Sequence, residues 1–207
     1  RIAQPFDNDY TLAQFALRKS WGGLDFVSAT GYVSHDVLAR YDASGFVGNG
    51  PAALDEHDQI TLISNETRLS RHYARGGWVV GASVISDIDR ISRRLGDPND
   101  PPPAAGVRNG TLEAALFGEA AHTLGHGLTA TLGGRITYTR LSGNPLDTTT
   151  RQDFERVSDG ARILPSAGLN WRSGPRFLWY LRYQEGYRPG GLALGDVTQQ
   201  GVRRFRS

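Results

Sequence analysis

The stretch GLTATLGGRITYTRL at residues 127–141 constrains the fold more than any other part of the sequence. Apolar or small side chains occupy its even positions from Leu128 to Tyr138, while threonine and arginine dominate the odd positions from Thr129 to Thr139. Because alternate residues of an extended strand point to opposite sides, this order gives the strand one apolar face and one polar face. A soluble sheet above a core and a membrane barrel around water both accept such a strand.

Strand-like segments bounded by turn residues recur along the whole chain, and no segment shows the 3.6-residue apolar period of an amphipathic helix. The pattern therefore predicts an all-β, antiparallel fold of about eight strands. The predicted strands cover residues 11–19, 24–35, 59–71, 77–89, 112–123, 128–141, 162–172 and 176–187.

The connections between these strands alternate between short and long. The short ones cover residues 20–23, 72–76, 124–127 and 173–175. The long ones cover residues 36–58, 90–111 and 142–161, with a fourth after Tyr187. Long connections confined to one side are uncommon in compact soluble domains but routine in outer-membrane barrels, whose short turns face the periplasm.

Aromatic residues cluster near the short connections, where a barrel in a membrane would carry its interfacial girdle. They are Trp21, Tyr73, Trp78, Trp171 and Trp179. The pattern favours a transmembrane β-barrel, while a soluble sandwich with the same aromatic residues in its core stays open.

Composition narrows the function. Lys and Arg number 23 against 21 Asp and Glu, and this near balance, without a run of like charges, argues against nucleic acid as a partner. The absence of cysteine excludes disulfides and thiolate metal sites.

The longest stretch free of Asp, Glu, Lys and Arg is Ala120 to Gly134, shorter than the roughly 20 apolar residues of a spanning helix. The chain begins with Arg1 and has no Met, so we interpret it as a fragment of a longer protein.

Seven phrases in order resemble the barrel of a TonB-dependent outer-membrane receptor. They are FVSATGYVSHD (26–36), ISNETRLSR (63–71), GGWVVGASV (76–84), AALFGEAAHTL (114–124), LTATLGGRITYTR (128–140), ILPSAGLNWR (163–172) and YQEGYRPGGL (183–192). The resemblance covers residue 11 to the end. Asn65 and Thr67 stand where such strands often have Gln and Leu, and His122 where they often have Tyr, which leaves the subfamily open.

The resemblance implies that residues 1–207 are part of a 22-stranded barrel domain in the bacterial outer membrane, surrounded by its lipid. The N-terminal plug domain, the segment that contacts the TonB–ExbB–ExbD system and the final strand are absent from this chain. By the same resemblance, the function is energised uptake of a siderophore, cobalamin, haem or saccharide. The chain is then a transporter fragment and not an enzyme. The alternatives are a soluble or surface saccharide-binding all-β module and a small complete eight-stranded outer-membrane barrel.

Few residues in the sequence suggest a metal site or a catalytic site. His122 and His126 have a metal-binding spacing only on a helix, and here they flank a predicted hairpin, so no metal site follows. Glu113 with Glu119 and Asp87 with Asp89 fit charges of a lumen or rim better than an acid–base pair. We predict no cofactor and no catalytic residue.

The connection 90–111 carries the strongest ligand hypothesis. Four arginines against two aspartates give it a net charge of +2, so Arg90, Arg93, Arg94 and Arg108 are predicted to contact an anionic ferric chelate. In the phrase RYQEGYRPGGL, Tyr187 or Arg188 could meet a ligand, but the glycines and the proline favour a simple strand end. Because an eight-strand arc leaves two edges unpaired, we expect that the isolated piece does not insert stably into a bilayer.

Overall fold

Ten β-strands make up the regular structure of the computed structural model, which describes residues 2–48, 50–146, 158–188, 190–194 and 202–205. The described residues contain no helix. One antiparallel sheet is formed by β1 (Phe6–Trp21), β2 (Leu24–Asp42), β3 (Ala53–Tyr73), β4 (Gly76–Gly96), β5 (Pro103–Gly125), β6 (Leu128–Leu146), β7 (Ser158–Ser173) and β8 (Phe177–Gln184). A separate pair is formed by β9 (Gly191–Leu194) and β10 (Val202–Phe205). All eight predicted strands are present in the large sheet.

Each strand of the large sheet lies beside its neighbour in the chain, from β1 to β8. Tight turns join the strands at one end of the sheet, here called the turn end. Gly22 and Gly23 have φ angles of 55° and 77°, and His126 and Gly127 have φ angles of 49° and 76°. Positive φ at both central residues matches the twist of an antiparallel pair. His126 is therefore part of the hairpin turn, within the short connection predicted at residues 124–127.

At the opposite end, here called the loop end, the strands run further than the sequence predicts. The connection between β2 and β3 covers residues 43–52 instead of 36–58, and that between β4 and β5 covers 97–102 instead of 90–111. In the third long connection, β6 continues to Leu146 and β7 begins at Ser158. Residues 147–157 between them lie outside the described residues.

Charge pairing explains these extensions. The extended parts are rich in charged residues, which resemble loop when only the sequence is considered. The register places Arg40 opposite Asp55 and Glu56 opposite Arg93. Both pairs form ion pairs with N–O distances of 2.6 Å. Opposite charges on neighbouring strands support the ladder, so the strands continue beyond the apolar segments.

The register divides β4–β8 into two faces of different chemistry. The face that we call outward carries exposed apolar side chains: Val80, Val84, Ile88, Leu112, Leu116, Leu132, Ile136, Tyr138, Ile163, Leu169, Trp171, Trp179, Leu181 and Tyr183. The other, inner face carries most of the charges. There Arg135 of β6 reaches Ser83 of β4 at 3.0 Å, and Arg182 of β8 reaches Glu119 of β5 at 3.3 Å. Such strand-skipping contacts form because the sheet curves toward the inner face.

The apolar side chains do not meet across a dry core. The buried apolar residues among those described are four alanines and Val107, whereas Leu132 is 69% exposed and Leu181 is 71% exposed. A soluble sandwich would bury such residues between two sheets. A contiguous apolar surface of this kind fits a hydrocarbon solvent, so the structure argues against the soluble module.

The large sheet is an open arc. Within the described residues, β1 pairs only with β2 and β8 pairs only with β7. A complete eight-stranded barrel would require a ladder between β1 and β8, which the described residues do not form. The outer edges of both strands carry backbone groups without ladder partners, and in hydrocarbon each such group costs several kcal/mol.

Candidate functional site

An arginine–glutamate pair lies near the middle of the inner face. Arg135 of β6 donates through Nη2 to Glu113 Oε1 at 2.8 Å and to Ser83 Oγ at 3.0 Å. Its Nε donates to Thr137 Oγ1 at 3.1 Å, and its guanidinium lies 5.9 Å from the centre of the Phe117 ring. The side chains of Arg135 and Glu113 are 31% and 20% exposed. Several directed hydrogen bonds in a half-buried setting hold this guanidinium in one orientation.

Two further ion pairs extend the charged surface across the inner face. Arg182 of β8 and Glu119 of β5 lie 3.3 Å apart, with side chains 57% and 36% exposed. Glu66 and Arg68 of β3 lie 3.7 Å apart. Exposed ion pairs contribute little to stability, so these charges are available to a partner that covers the inner face.

A cavity of about 400 Å³ lies on the inner face between β5 and the segment that follows β8. The ion pairs Arg135–Glu113 and Arg182–Glu119 both border it, and Phe117 adds an apolar patch. Tyr187 also lines the cavity, and its ring centre lies 4.6 Å from the guanidinium of Arg162. The lining therefore offers charges of both signs beside an aromatic surface, which suits a polar protein segment or a large polar ligand.

The segment after β8 folds back onto the inner face at the loop end. Asn109 of β5 donates through Nδ2 to Leu192 O at 2.9 Å and accepts a hydrogen bond from Leu192 N at 3.1 Å. Leu192 packs over Gly143 of β6, where an added Cβ would lie 2.7 Å from Leu192 Cδ1. A side chain at position 143 would therefore require the Leu192 side chain to move. The sequence contains no local signal for this contact, because the partners are far apart in the chain.

The glycine-rich phrase after β8 has two roles in the structure. β8 ends at Gln184, as the turn chemistry of the phrase predicts. Tyr187 nevertheless lines the inner cavity, so one of the two residues considered for ligand contact lies at a site where contact is possible.

The structure gives separate partners to the first of the two carboxylate pairs identified in the sequence. Glu113 and Glu119 bind different arginines, as described above. Asp87 and Asp89 lie on the inner face of β4 toward the loop end, near Asp58 of β3. The Oδ1 atoms of Asp58 and Asp89 are buried without a hydrogen-bond partner.

The described ranges contain no group of three or more His, Cys, Asp or Glu residues that could hold a metal ion. His122 is exposed on the outward face of β5. Among the described residues no helix is long and apolar enough to cross a membrane.

The structure separates the four arginines predicted to contact an anionic ligand. Arg90, Arg93 and Arg94 belong to β4, and Arg108 belongs to β5, so all four lie on strands rather than in a loop. Arg90 and Arg108 are register partners on the outward face, whereas Arg93 lies on the inner face. The four side chains therefore do not converge on one site, and ligand contact by them stays a prediction.

Two of these arginines are held by neighbouring groups. Arg93 donates through Nε to Glu56 Oε2 at 2.6 Å. Arg94 donates to the backbone oxygen of Pro101 at 2.6 Å and to Asp100 Oδ1 at 3.1 Å. Arg94 thereby ties β4 to the connection 97–102.

A family model described as TonB dependent receptor-like, beta-barrel, matches residues 3–203 of the chain. No curated protein matches the sequence. The crystal structure of the ferric yersiniabactin uptake receptor FyuA from Yersinia pestis aligns with a TM-score of 0.77 at 12% identity, over 97% of this chain and 32% of that chain. The ferric citrate transporter FecA in its unliganded form aligns with a TM-score of 0.65 at 14% identity, over 90% of this chain and 28% of that chain.

At these identities, the two alignments show a shared fold. This chain spans about a third of the length of either solved receptor.

Proposed function

The chain belongs to the TonB-dependent receptor β-barrel family, and on that premise we propose that it forms part of the barrel wall of an outer-membrane receptor that imports a large nutrient. The observation that carries the proposal is the division of β4–β8 into an exposed apolar outward face and a charged inner face. Lipid on one side and a hydrated lumen on the other would select this division. The role is transport and not catalysis.

The open edges of β1 and β8 support a larger barrel. We propose that strands outside residues 1–207 pair with these edges and complete a 22-stranded wall. A plug domain, also outside this chain, would fill the lumen and contact the inner face. The ion pairs of Arg135 and Arg182 border the cavity that such a plug would cover. TonB, with ExbB and ExbD, would act through that missing part of the protein.

A ferric chelate of the siderophore type is the substrate class that we propose. The two solved neighbours are named for ferric yersiniabactin and ferric citrate, and both belong to the same fold. Among the four arginines predicted to contact an anionic ligand, Arg93 is on the inner face and so could be reached from the lumen. The other three lie on the outward face and would need a ligand outside the barrel.

Uptake by the complete receptor tests this function. The receptor is expressed in a bacterium without siderophore receptors of its own, and the uptake of radioactive iron is measured for a panel of ferric chelates. We expect uptake of at least one chelate, and its loss when TonB is deleted. Uptake that persists without TonB, or a receptor that stays soluble and monomeric without detergent, would contradict the proposal.

A further inference from the structure

Two arginines face each other on the outward face without a countercharge. Arg90 of β4 and Arg108 of β5 are register partners, and both are exposed. Opposite residues on one face of an antiparallel pair have Cβ atoms about 5 Å apart, where like charges repel. Within the described part of the chain, neither guanidinium has a hydrogen bond or an ion pair. The fold therefore holds two positive charges together that nothing in the described protein neutralises.

Two other outward arginines at the loop end do have partners. Arg40 forms an ion pair with Asp55 at 2.6 Å, and Arg94 forms one with Asp100 at 3.1 Å. Arg90 and Arg108 differ from these two arginines because they face each other without an acidic partner.

That position is the border of the apolar surface. On the outward face of β4, Arg90 is the first charged residue beyond the apolar run that ends at Ile88. On the outward face of β5, Arg108 is likewise the first charged residue beyond Leu112. On the outward face of β6, Arg140 is the first charged residue beyond Tyr138. It is exposed, and within the described residues it too has no hydrogen bond or ion pair.

Asp159 of β7 is the residue opposite Arg140, and it is the nearest acidic register partner. Its Oδ2 accepts a hydrogen bond from the Tyr138 hydroxyl at 3.2 Å, and it forms no ion pair with Arg140. Arg140 lies about 13 Å along β6 from the residue opposite Arg108, since a strand rises by about 3.3 Å per residue. Arg140 therefore lies at the same border but apart from the basic patch, which consists of Arg90 and Arg108.

We propose that Arg90 and Arg108 bind the phosphate group of an anionic lipid headgroup in the leaflet at the loop end. The inference rests on the proposed function, in which the outward face contacts lipid. A guanidinium binds phosphate through two parallel hydrogen bonds, and basic residues beside a bilayer attract anionic headgroups. Ile88 is the next outward residue below Arg90 on β4, and Leu112 lies further below Arg108 on β5. An acyl chain of the same lipid would run over them, so a lipid fits better than free phosphate.

Lipid selectivity of the complete receptor tests the proposal. The purified receptor is placed in nanodiscs of phosphatidylcholine with a small fraction of phosphatidic acid, and the lipids that stay bound after detergent extraction are measured by mass spectrometry. We expect enrichment of phosphatidic acid, reduced about tenfold in the double variant Arg90→Gln, Arg108→Gln. The variant Arg90→Lys, Arg108→Lys should keep most of the enrichment because the charge remains. Added inorganic phosphate should not displace the bound lipid.

A matched control removes two positive charges from the inner face. Arg18 of β1 and Arg172 of β7 lie there by register, and Arg18→Gln with Arg172→Gln should leave the enrichment unchanged. Equal enrichment in the wild type and in the Arg90/Arg108 glutamine variant, or release of the lipid by inorganic phosphate, would overturn the inference while the transport function stands. If the wild type does not insert into the bilayer, both proposals fail.

Discussion

The outward and inner faces of β4–β8 share one backbone and one register, yet they carry opposite chemistry. Leu132 is an exposed apolar residue on the outward face, and its neighbour Thr131 lies on the inner face. Further along the same strand, Arg135 lies on the inner face and the exposed Ile136 on the outward face. Hydrogen bonding of the strands is the same for both faces, so the solvent on each side must select the side chains. The comparison can be tested one residue at a time.

The largest effect is expected from a charge placed on the outward face. Leu132→Arg should lower the free energy of unfolding of the complete receptor by about 2–4 kcal/mol, because the guanidinium would lie in hydrocarbon. The matched change Thr131→Arg puts the same group on the inner face and should cost less than about 1 kcal/mol. Urea unfolding in lipid vesicles measures both. Similar losses for the two variants would show that the faces have the same solvent.

The two ion pairs of the inner face should differ in their contribution to the free energy of unfolding, because Arg135–Glu113 is half-buried and Arg182–Glu119 is more exposed. Arg135→Met leaves the Glu113 carboxylate without its partner, and we expect a loss of about 1–2 kcal/mol in the free energy of unfolding. Arg182→Met removes the partner of the more exposed Glu119 and should cost less than about 1 kcal/mol. The same urea titration compares the variants. If the added change Glu113→Gln fails to recover part of the Arg135→Met loss, the unpaired carboxylate is not its cause.

The outward face of β2 and β3 differs from that of β4–β8, since it carries a polar cluster among apolar neighbours. Asn65 donates to Thr30 Oγ1 at 2.9 Å and accepts from Thr67 Oγ1 at 3.1 Å, and Thr67 is 2.8 Å from Ser28 Oγ. These groups satisfy one another, as polar groups facing lipid must.

Asn65→Ala should therefore cost about 0.6 kcal/mol, the average for polar contacts within membranes. Thr61→Ala, an exposed outward position on the same strand without a hydrogen bond, serves as the control and should leave the free energy of unfolding unchanged. A gain in stability for Asn65→Ala would mean that the cluster is not sustained by its own hydrogen bonds.

The smallest effect concerns the connection 43–52, outside the apolar surface. The Ser44 hydroxyl and backbone amide donate to Asp42 at 2.6 Å and 3.1 Å, and these bonds hold the pKa of Asp42 below its usual value. A carboxyl with a lowered folded pKa stabilises the fold above its unfolded value of about 3.9. That contribution is lost as the pH falls through the lower, folded pKa.

Hydrogen exchange at the Ser44 amide measures the titration of the Asp42 carboxyl, because that amide donates to it. We expect slow exchange near neutral pH and, relative to the intrinsic rate, faster exchange below about pH 3.9. Asp42→Asn should exchange faster at neutral pH and lose the acid dependence. An unchanged protection factor across this range in the wild type would refute the role of Asp42.

Much of the fold was predictable because its signals are local. The Gly22–Gly23 turn and the alternation of residues 128–141 are each read within a few positions, and all eight strands follow from such signals. Strand ends at the loop end were not predictable in this way. Arg40 and Glu56 resemble loop residues until the register supplies Asp55 and Arg93 as partners.

The candidate site was less predictable than the fold. Glu113 and Glu119 were noticed in the sequence only as a pair of carboxylates, and their real partners, Arg135 and Arg182, lie on other strands. The docking of Leu192 on Asn109 and Gly143 has no sequence signal, because it depends on how far the sheet curves.

Local sequence signals sufficed for the hairpin turns, for the existence of the eight strands and for the two faces of strands such as 128–141, since side-chain direction alternates along any extended strand. The inner face, the partners of the arginines and the ends of the strands follow only from the three-dimensional arrangement of the sheet. Curvature and register bring together residues that are distant in the chain, and no local pattern encodes either one.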